Sequence, residues 1–269
     1  MECNLIELFS LFDAPGKLND ALPGDSENRD IVESDTSVNF TIISGMYSSA
    51  GVDLSSMPEQ VRRMYELSID AFKSVVHAWM SELPVRESVI RFGRKVFNAV
   101  DRSAAERAAT DRGNPDVKIV MDISYKVWHE IDRMRGLLRF CPNDDGLYIA
   151  YCTPDYFVLP ALAEHFTLRF GDTPWAIIDE KRGCCLCRMS GQAPVFGTIE
   201  NQCIQSLNNT GQNDTSHLFS GKPDKPNSDE WEKLWQHYHK TINNESRNNP
   251  DLQRRLMPKR YWENLPEKL

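Results

Sequence analysis

Cationic and aromatic residues are concentrated near the end of the chain. Residues 247–260 hold five bases and one acid, a net charge of +4. Arginine suits phosphate because its planar guanidinium donates two hydrogen bonds at once, and aromatic rings stack on unpaired bases. Two interpretations stay open: a surface that binds nucleic acid, or a helical stub that anchors the tail to the core. The residues concerned are Arg247, Arg254, Arg255, Lys259, Arg260, Tyr261 and Trp262.

A second group of arginines lies near the middle of the chain. Arg133, Arg135 and Arg139 flank the point where a predicted helix is followed by a predicted strand. We assign them to the same kind of binding surface, for nucleic acid or a protein partner. In the tail, Tyr261 and Trp262 are adjacent, so their side chains cannot face the same way. We expect Trp262 to anchor the tail, and we place Tyr261 with the cations on the binding surface.

Charge is distributed unevenly along the chain. The 269 residues have a net charge of −8, of which residues 1–40, with nine acids and two bases, account for −7. Phosphate contacts depend on local rather than total charge, so the acidic total does not exclude a DNA partner. No apolar run approaches the roughly 20 residues of a membrane span, and the acidic start is not a signal peptide. We therefore expect a cytoplasmic protein with no membrane partner.

Cysteines are the next candidates for chemistry. An odd number of them, seven, favours free thiols in a reducing compartment. The run "CCLC" places Cys184, Cys185 and Cys187 on one predicted strand, where only Cys185 and Cys187 share a face. A structural zinc site needs four ligands, and no second pair lies nearby. We expect no metal site and no cofactor.

Catalytic signatures are missing from the sequence. It contains neither G-x-S-x-G nor H-E-x-x-H, and neither of the glycine-rich phosphate-binding motifs. The zinc deaminase signature is missing as well. No reaction follows from motifs alone, so the question of an enzyme stays open and the sequence favours a protein that binds rather than catalyses.

Hydrophobic periodicity predicts an α+β fold. Helical spacing covers residues 58–81, the segment after Pro84, and residues 114–136, where Asn114 is a good N-cap and Pro115 suits the first turn. A β-hairpin, a helix and further strands follow, most simply a small antiparallel sheet packed against amphipathic helices. The predicted strands are 38–44, 137–141, 146–152 and 174–189, and the helix within the sheet region is 156–170.

Composition divides the chain into four segments. Residues 1–57 are predicted as an acidic, partly irregular arm, and residues 58–189 as the α+β core. Residues 190–228 are rich in polar turn residues and are predicted as a linker or long loop. Residues 229–269 are predicted as a helical segment that packs back on the core. Its apolar stripe consists of Trp231, Leu234, Trp235, Tyr238 and Ile242.

Three blocks of the sequence resemble a bacterial family of probable DNA metabolism proteins that contain a domain of unknown function. The first block is "GNPDV" with "EIDRMRGLLRF", and the second is "PDYFVLPALAEHFTLRF" with "WAIIDEKRG". The third is the tail, "WEKLWQHYHKTINNESRNNPDLQRRLMPKRYW". Together they cover most of residues 60–267, and "WMSELP" at 79–84 is similar more weakly.

The resemblance implies a cellular setting. Members of the family are typically encoded beside a radical SAM protein associated with DNA repair or modification, and some are fused to a uracil-DNA glycosylase domain. It implies an accessory protein that binds DNA, the radical SAM protein or the uracil-DNA glycosylase. Two alternatives stay open. One is a nuclease- or glycosylase-like enzyme with Asp155, His165 and Arg169 as candidate catalytic residues; the other is a protein-docking module without nucleic-acid contact.

Overall fold

The structure is a computed structural model that describes residues 4–13, 29–143, 146–198 and 228–266. These residues form two compact units, each described by itself below. The first comprises Met1–Ile131 with Asp155–Ala161, and the second Asp132–Pro154 with Leu162–Leu269. Most of the predicted linker, residues 199–227, lies outside the described residues. Within the described ranges, no helix is long and apolar enough to cross a membrane.

The first unit is helical. Several of its helices begin where a polar side chain accepts a hydrogen bond from one of the first backbone N–H groups, as N-caps do. Ser68 accepts from Ala71, Asp101 from Ala104 and Asn114 from Val117. The helices are α1 (Leu5–Ser10), α2 (Arg29–Met46), α3 (Glu59–Leu67), α4 (Ile69–Met80), α5 (Arg86–Phe97), α6 (Arg102–Thr110) and α7 (Pro115–Leu137), whose last turns belong to the second unit. The helix predicted over 114–136 is confirmed, whereas the helical stretch predicted over 58–81 is two helices, α3 and α4, separated at the extended residue Ser68.

Aromatic rings from α1, from its C-terminal end and from α4 form part of this unit's core. Phe9 stacks on Phe72 with ring centres 5.4 Å apart and meets Phe12 edge to face at 5.5 Å. Phe12 in turn lies against Gly93 of α5, where an added Cβ would be 2.4 Å from the ring. Glycine is therefore required at position 93 by this close approach.

The strand predicted over 38–44 is wrong, because these residues belong to helix α2. The β-branched residues of "VNFTIIS" favour a strand locally. In the structure Asn39, Ile42 and Ile43 are buried together, at the spacing of one helix face. The Asn39 side chain also accepts a hydrogen bond from the Leu5 N–H at 3.2 Å. Tertiary packing therefore overrides the local preference.

The second unit contains the sheet and the tail. Among the described residues, the strands are β1 (Cys141–Pro142), β2 (Tyr148–Cys152), β3 (Trp175–Asp179), β4 (Cys184–Arg188) and β5 (Val195–Thr198), in that spatial order. The remaining elements are α8 (Ala163–Phe170), α9 (Ser228–Ile242), α10 (Pro250–Leu256) and 3₁₀ turns at Leu159–Leu162, Glu245–Arg247 and Lys259–Asn264.

The α+β class is confirmed, and the sheet is mostly antiparallel, as predicted. The exception is the pair β2 and β3, which run parallel. A parallel pair needs a crossover connection, and here α8 lies between the two strands in the chain. The predicted hairpin is present as β1 and β2, but β1 is only two residues long. Of the strand predicted over 137–141, Leu137 belongs to α7 and residues 138–140 are in neither helix nor strand. The crossover brings the end of α8 close to the β1–β2 hairpin.

A buried ion pair closes the turn between β3 and β4. Asp179 is fully buried, and its carboxylate accepts hydrogen bonds from the Arg182 side chain at 2.8 Å and from the Lys181 N–H at 3.0 Å. The Arg182 guanidinium also donates to the carbonyl of Pro154 at 3.1 Å. These hydrogen bonds give Asp179 and Arg182 of the "DEKRG" segment a structural role, because they hold the β3–β4 turn against Pro154.

Candidate functional site: an aromatic and cationic cleft

A cleft of about 690 Å³ opens in the second unit, beside the short edge strand of the sheet. Its inner wall is formed by rings that follow α7, begin β2 and end α8. Its outer wall is the apolar stripe of α9. The inner wall contains Phe140, Tyr148 and Phe170, the outer wall contains Leu234, Trp235 and Tyr238, and the two cations are Arg139 and Arg169. Leu138, Cys141, Pro142 and Pro266 complete the described lining.

Arg139 is held at the end of helix α7. Its guanidinium donates to the Gly136 carbonyl at 2.8 Å, where a cation also complements the negative end of the helix dipole. The same guanidinium lies 5.4 Å from the centre of the Trp235 ring, within the range of a cation–π interaction. Arg139 therefore connects the inner wall of the cleft with its outer wall.

Arg169 is the more accessible cation of the cleft. It lies in the last turn of α8, is exposed, and its guanidinium is 6.0 Å from the Phe166 ring centre. Within the part of the chain that the structure describes, Arg169 has no hydrogen-bond or salt-bridge partner. The guanidinium is thus available to an anion in the cleft.

Packed rings fix the inner wall of the cleft. The ring of Phe170 lies 4.7 Å from that of Phe140 and 5.6 Å from that of Tyr148. Phe140 also contacts the fully buried Phe166, with ring centres 5.0 Å apart. Because these rings pack on one another and on the buried Phe166, the wall presents a rigid aromatic surface.

The outer wall is only partly covered. Trp235 is 38 % exposed and Tyr238 is 52 % exposed, and their ring centres are 5.7 Å apart. The packing of this stripe on the core stays a prediction, and in the structure Trp235 and Tyr238 leave ring surface open to the cleft. Helix α9 is tied to the chain end by a hydrogen bond from the Gln236 side chain to the Pro266 carbonyl at 2.9 Å.

The cleft combines positive charge with aromatic surface. Its described lining contains two arginines and two tyrosines. Cations beside aromatic rings are suited to flat anionic ligands.

The candidate catalytic residues Asp155, His165 and Arg169 do not share a unit, since Asp155 belongs to the first and the others to the second. Asp155 is exposed, and its backbone N–H donates to the buried Glu130 carboxylate at 2.8 Å. Burial, together with Arg135 and Arg169, lowers the pKa of His165, so this imidazole is neutral at pH 7. Only Arg169 lines the cleft. The catalytic assignment of these residues stays a prediction.

The predicted cations of the tail are all exposed in the second unit. They are Arg247, Arg254, Arg255, Lys259 and Arg260. Arg254 lies 3.5 Å from the exposed Asp251 carboxylate, a contact that water screens strongly. Arg133 and Arg135, in the last turns of α7, are half-buried and so present less of their guanidinium to solvent.

The roles predicted for Tyr261 and Trp262 need correction. Tyr261 is only 4 % exposed, with the Arg260 guanidinium 4.7 Å from its ring centre. A buried ring cannot stack on a base, so the predicted binding role does not suit Tyr261. Trp262 is half-buried, and its indole N–H donates to the Met257 carbonyl at 3.0 Å. Tyr261 is therefore the anchor of the tail.

Among the cysteines that the structure describes, the half-exposed Cys141 is the one in the cleft lining. Cys141, Cys152, Cys184 and Cys187 are not disulfide-bonded, whereas Cys185 is, which corrects the expectation of free thiols for that residue. Burial raises the pKa of Cys187 to about 12, so that thiol stays protonated and unreactive. In the described ranges, no three His, Cys, Asp or Glu side chains are grouped as metal ligands would be.

The fold and the cleft together define an α+β protein with an aromatic, cationic cleft on its sheet-containing unit. The chain belongs to the DUF4130 family, a domain of unknown function, which it matches over residues 90–267. This match includes the cleft and the cationic tail, while the weaker likeness at 79–84 lies outside it. No curated protein and no solved structure matches the chain.

Proposed function

We propose that this protein is a DNA-binding accessory factor in DNA repair or modification, which binds DNA through the cleft and the cations of the tail. The observation that carries the proposal is the convergence of Arg139 and Arg169 on a cleft with aromatic walls. Nucleic acid offers what such a site requires, namely phosphates for the guanidinium groups and flat bases for the rings.

The tail supports the proposal independently of the cleft. Residues 247–260 contain five exposed cations and one acid, Asp251. Clustered cations of this kind attract the phosphate backbone without regard to sequence. Residues 1–40 account for −7 of the net charge of −8, so the rest of the chain is nearly neutral. A local cationic region there can therefore bind DNA despite the acidic total charge.

The proposed setting in DNA metabolism comes from the resemblance described above. A radical SAM protein or a uracil-DNA glycosylase is the proposed enzyme partner, and this chain would bring that partner to DNA. The cleft supports a binding role because its described lining lacks carboxylates and histidines.

Binding to single- and double-stranded oligonucleotides, measured by fluorescence anisotropy over a range of salt concentrations, tests the proposal. We expect measurable affinity at low salt that falls steeply as salt rises, because phosphate contacts release counterions. The variant Arg254→Ala/Arg255→Ala/Arg260→Ala should bind more weakly, and the slope of log K against log salt should fall by about 2 to 3.

The control is a variant with the same change in charge on the first unit, Arg62→Ala/Arg102→Ala/Arg107→Ala, whose arginines are also exposed. It should keep the affinity and the salt slope of the unmodified protein. Equal loss in both triple variants would show that only total charge matters. Absence of binding to either oligonucleotide at low salt would refute the DNA-binding function.

A further inference from the structure

We infer, on the basis of the proposed function, that the cleft is a site for one unpaired nucleotide. In this arrangement the base stacks on the exposed rings of Trp235 and Tyr238, and its phosphate binds Arg169. The protein then prefers single-stranded over double-stranded nucleic acid at this site.

The walls match the shape of a base. The inner wall is a rigid set of rings in which Phe170 contacts both Phe140 and Tyr148. The outer wall exposes ring surface on Trp235 and Tyr238. A flat ligand entering between two aromatic walls gains contact on both of its faces, which an aliphatic or globular ligand does not.

The charges of the cleft select an anion. Arg139 and Arg169 are separated along the chain but lie in one cleft, and no acidic side chain is part of its described lining. Arg169 presents a guanidinium with no described partner at the cleft. A flat aromatic group that carries a phosphate is the ligand class that combines both requirements.

Size and access favour an unpaired nucleotide over a duplex. The volume of about 690 Å³ lies within the roughly 300–1,000 Å³ of sites for small organic ligands. A duplex hides the faces of its bases in the stack, so only an unpaired or extruded base can offer its face to a protein ring. A strand and a free nucleotide share this chemistry, and the experiment separates them.

The inference is tested by measuring the affinity of the 269-residue chain for fluorescein-labelled oligo(dT), for a duplex and for dTMP. Trp235→Ala and Tyr238→Ala should each weaken oligo(dT) binding by about 5- to 160-fold, the range expected for losing one stacked base. Both should leave the duplex affinity unchanged, because the tail supplies the duplex contacts. Arg169→Gln should also weaken oligo(dT) binding.

Matched controls are available on the first unit. Trp128 is 47 % exposed and Tyr125 is 63 % exposed, so Trp128→Ala and Tyr125→Ala remove comparable surface rings that are not part of the cleft lining. Arg62→Gln matches Arg169→Gln, because Arg62 is an exposed arginine on a helix. These three variants should bind oligo(dT) as the unmodified protein does.

Cys141 reports on the cleft directly. Its side chain is half-exposed in the cleft lining and is not disulfide-bonded. Bound oligo(dT) should therefore slow the reaction of Cys141 with maleimide, and bound duplex should not. Mass spectrometry of the peptide that contains Cys141 measures the rate.

Two outcomes would overturn the inference and leave the proposed function standing. One is nucleic-acid binding that does not slow the labelling of Cys141, and the other is an equal loss of oligo(dT) and duplex affinity in the ring variants. Binding of dTMP alone, with no strand bound, would overturn both. No binding of any of the three ligands would refute the proposed function itself.

Discussion

The guanidinium of Arg139 lies 5.4 Å from the ring centre of Trp235. Arg139 follows helix α7 and Trp235 belongs to helix α9, so this contact joins the two walls of the cleft. A cation over a partly exposed indole contributes about 0.5–1 kcal/mol. The contact therefore positions α9 and also leaves part of the indole ring available to a ligand.

A double-mutant cycle measures this contact. We expect Arg139→Ala and Trp235→Ala to show a coupling free energy of about 0.5–1 kcal/mol in urea unfolding. Trp128 of the first unit supplies the control, since Arg139→Ala and Trp128→Ala should be additive. Additivity in the Arg139 and Trp235 cycle would show that the cation–π contact does not stabilise the cleft.

Tyr261, rather than Trp262, should stabilise the tail. Tyr261 is buried in a turn that packs beside strand β2, so Tyr261→Ala should lower the free energy of unfolding by about 3 kcal/mol. Trp262→Ala should cost about 1 kcal/mol, because the half-buried indole loses less contact and one hydrogen bond to the Met257 carbonyl. Urea denaturation of both variants tests the order, and a larger loss for Trp262→Ala would restore the sequence-based prediction.

Two glycines in helices should respond to alanine in opposite directions. At Gly93 the new Cβ would lie 2.4 Å from the buried Phe12 ring, so Gly93→Ala should destabilise the protein by about 1–3 kcal/mol. At Gly136 nothing lies within 4 Å of the new Cβ, so Gly136→Ala should stabilise α7 by about 0.5–1 kcal/mol. Thermal unfolding gives both signs, and a stabilised Gly93→Ala variant would contradict the close packing of Phe12.

Much of the fold follows from local signals in the sequence. Helix α7 was predictable because Asn114 and Pro115 mark its start and its apolar residues recur with helical spacing. Helix α2 was not, because its β-branched residues favour a strand and the contact between Leu5 and Asn39 joins distant positions. The parallel pairing of β2 and β3 also depends on a crossover that strand patterns do not reveal.

The cleft was predictable only in part. Arg139 was predicted as a binding residue and Arg169 as a candidate catalytic residue, but their convergence depends on segments around 140, 170 and 235 that meet only in the folded chain. The stripe of α9 was visible as an apolar face, yet its spacing does not reveal that Trp235 and Tyr238 stay partly exposed. Sequence adjacency likewise separated Tyr261 from Trp262 without showing which ring is buried.

His77 should make the first unit sensitive to acid. Its side chain is 5 % exposed, with Nδ1 2.7 Å from the Ser124 hydroxyl and Nε2 hydrogen-bonded to the Tyr47 hydroxyl. Burial, assisted by Lys73, lowers the pKa of His77 to about 4. As pH falls below about 6.5, His77 becomes protonated in the unfolded chain but stays neutral in the folded protein. The free energy of unfolding therefore decreases between pH 6.5 and 4.

The loss attributable to His77 should be about 2 kcal/mol between pH 7 and pH 5. Urea unfolding of the unmodified protein and of His77→Gln at both pH values measures it. The variant should be less stable at pH 7, because glutamine cannot reproduce both hydrogen bonds, yet should lose less stability on acidification. Carboxylates titrate in both proteins and cancel in the comparison, so equal losses would show that His77 is not buried in its neutral form.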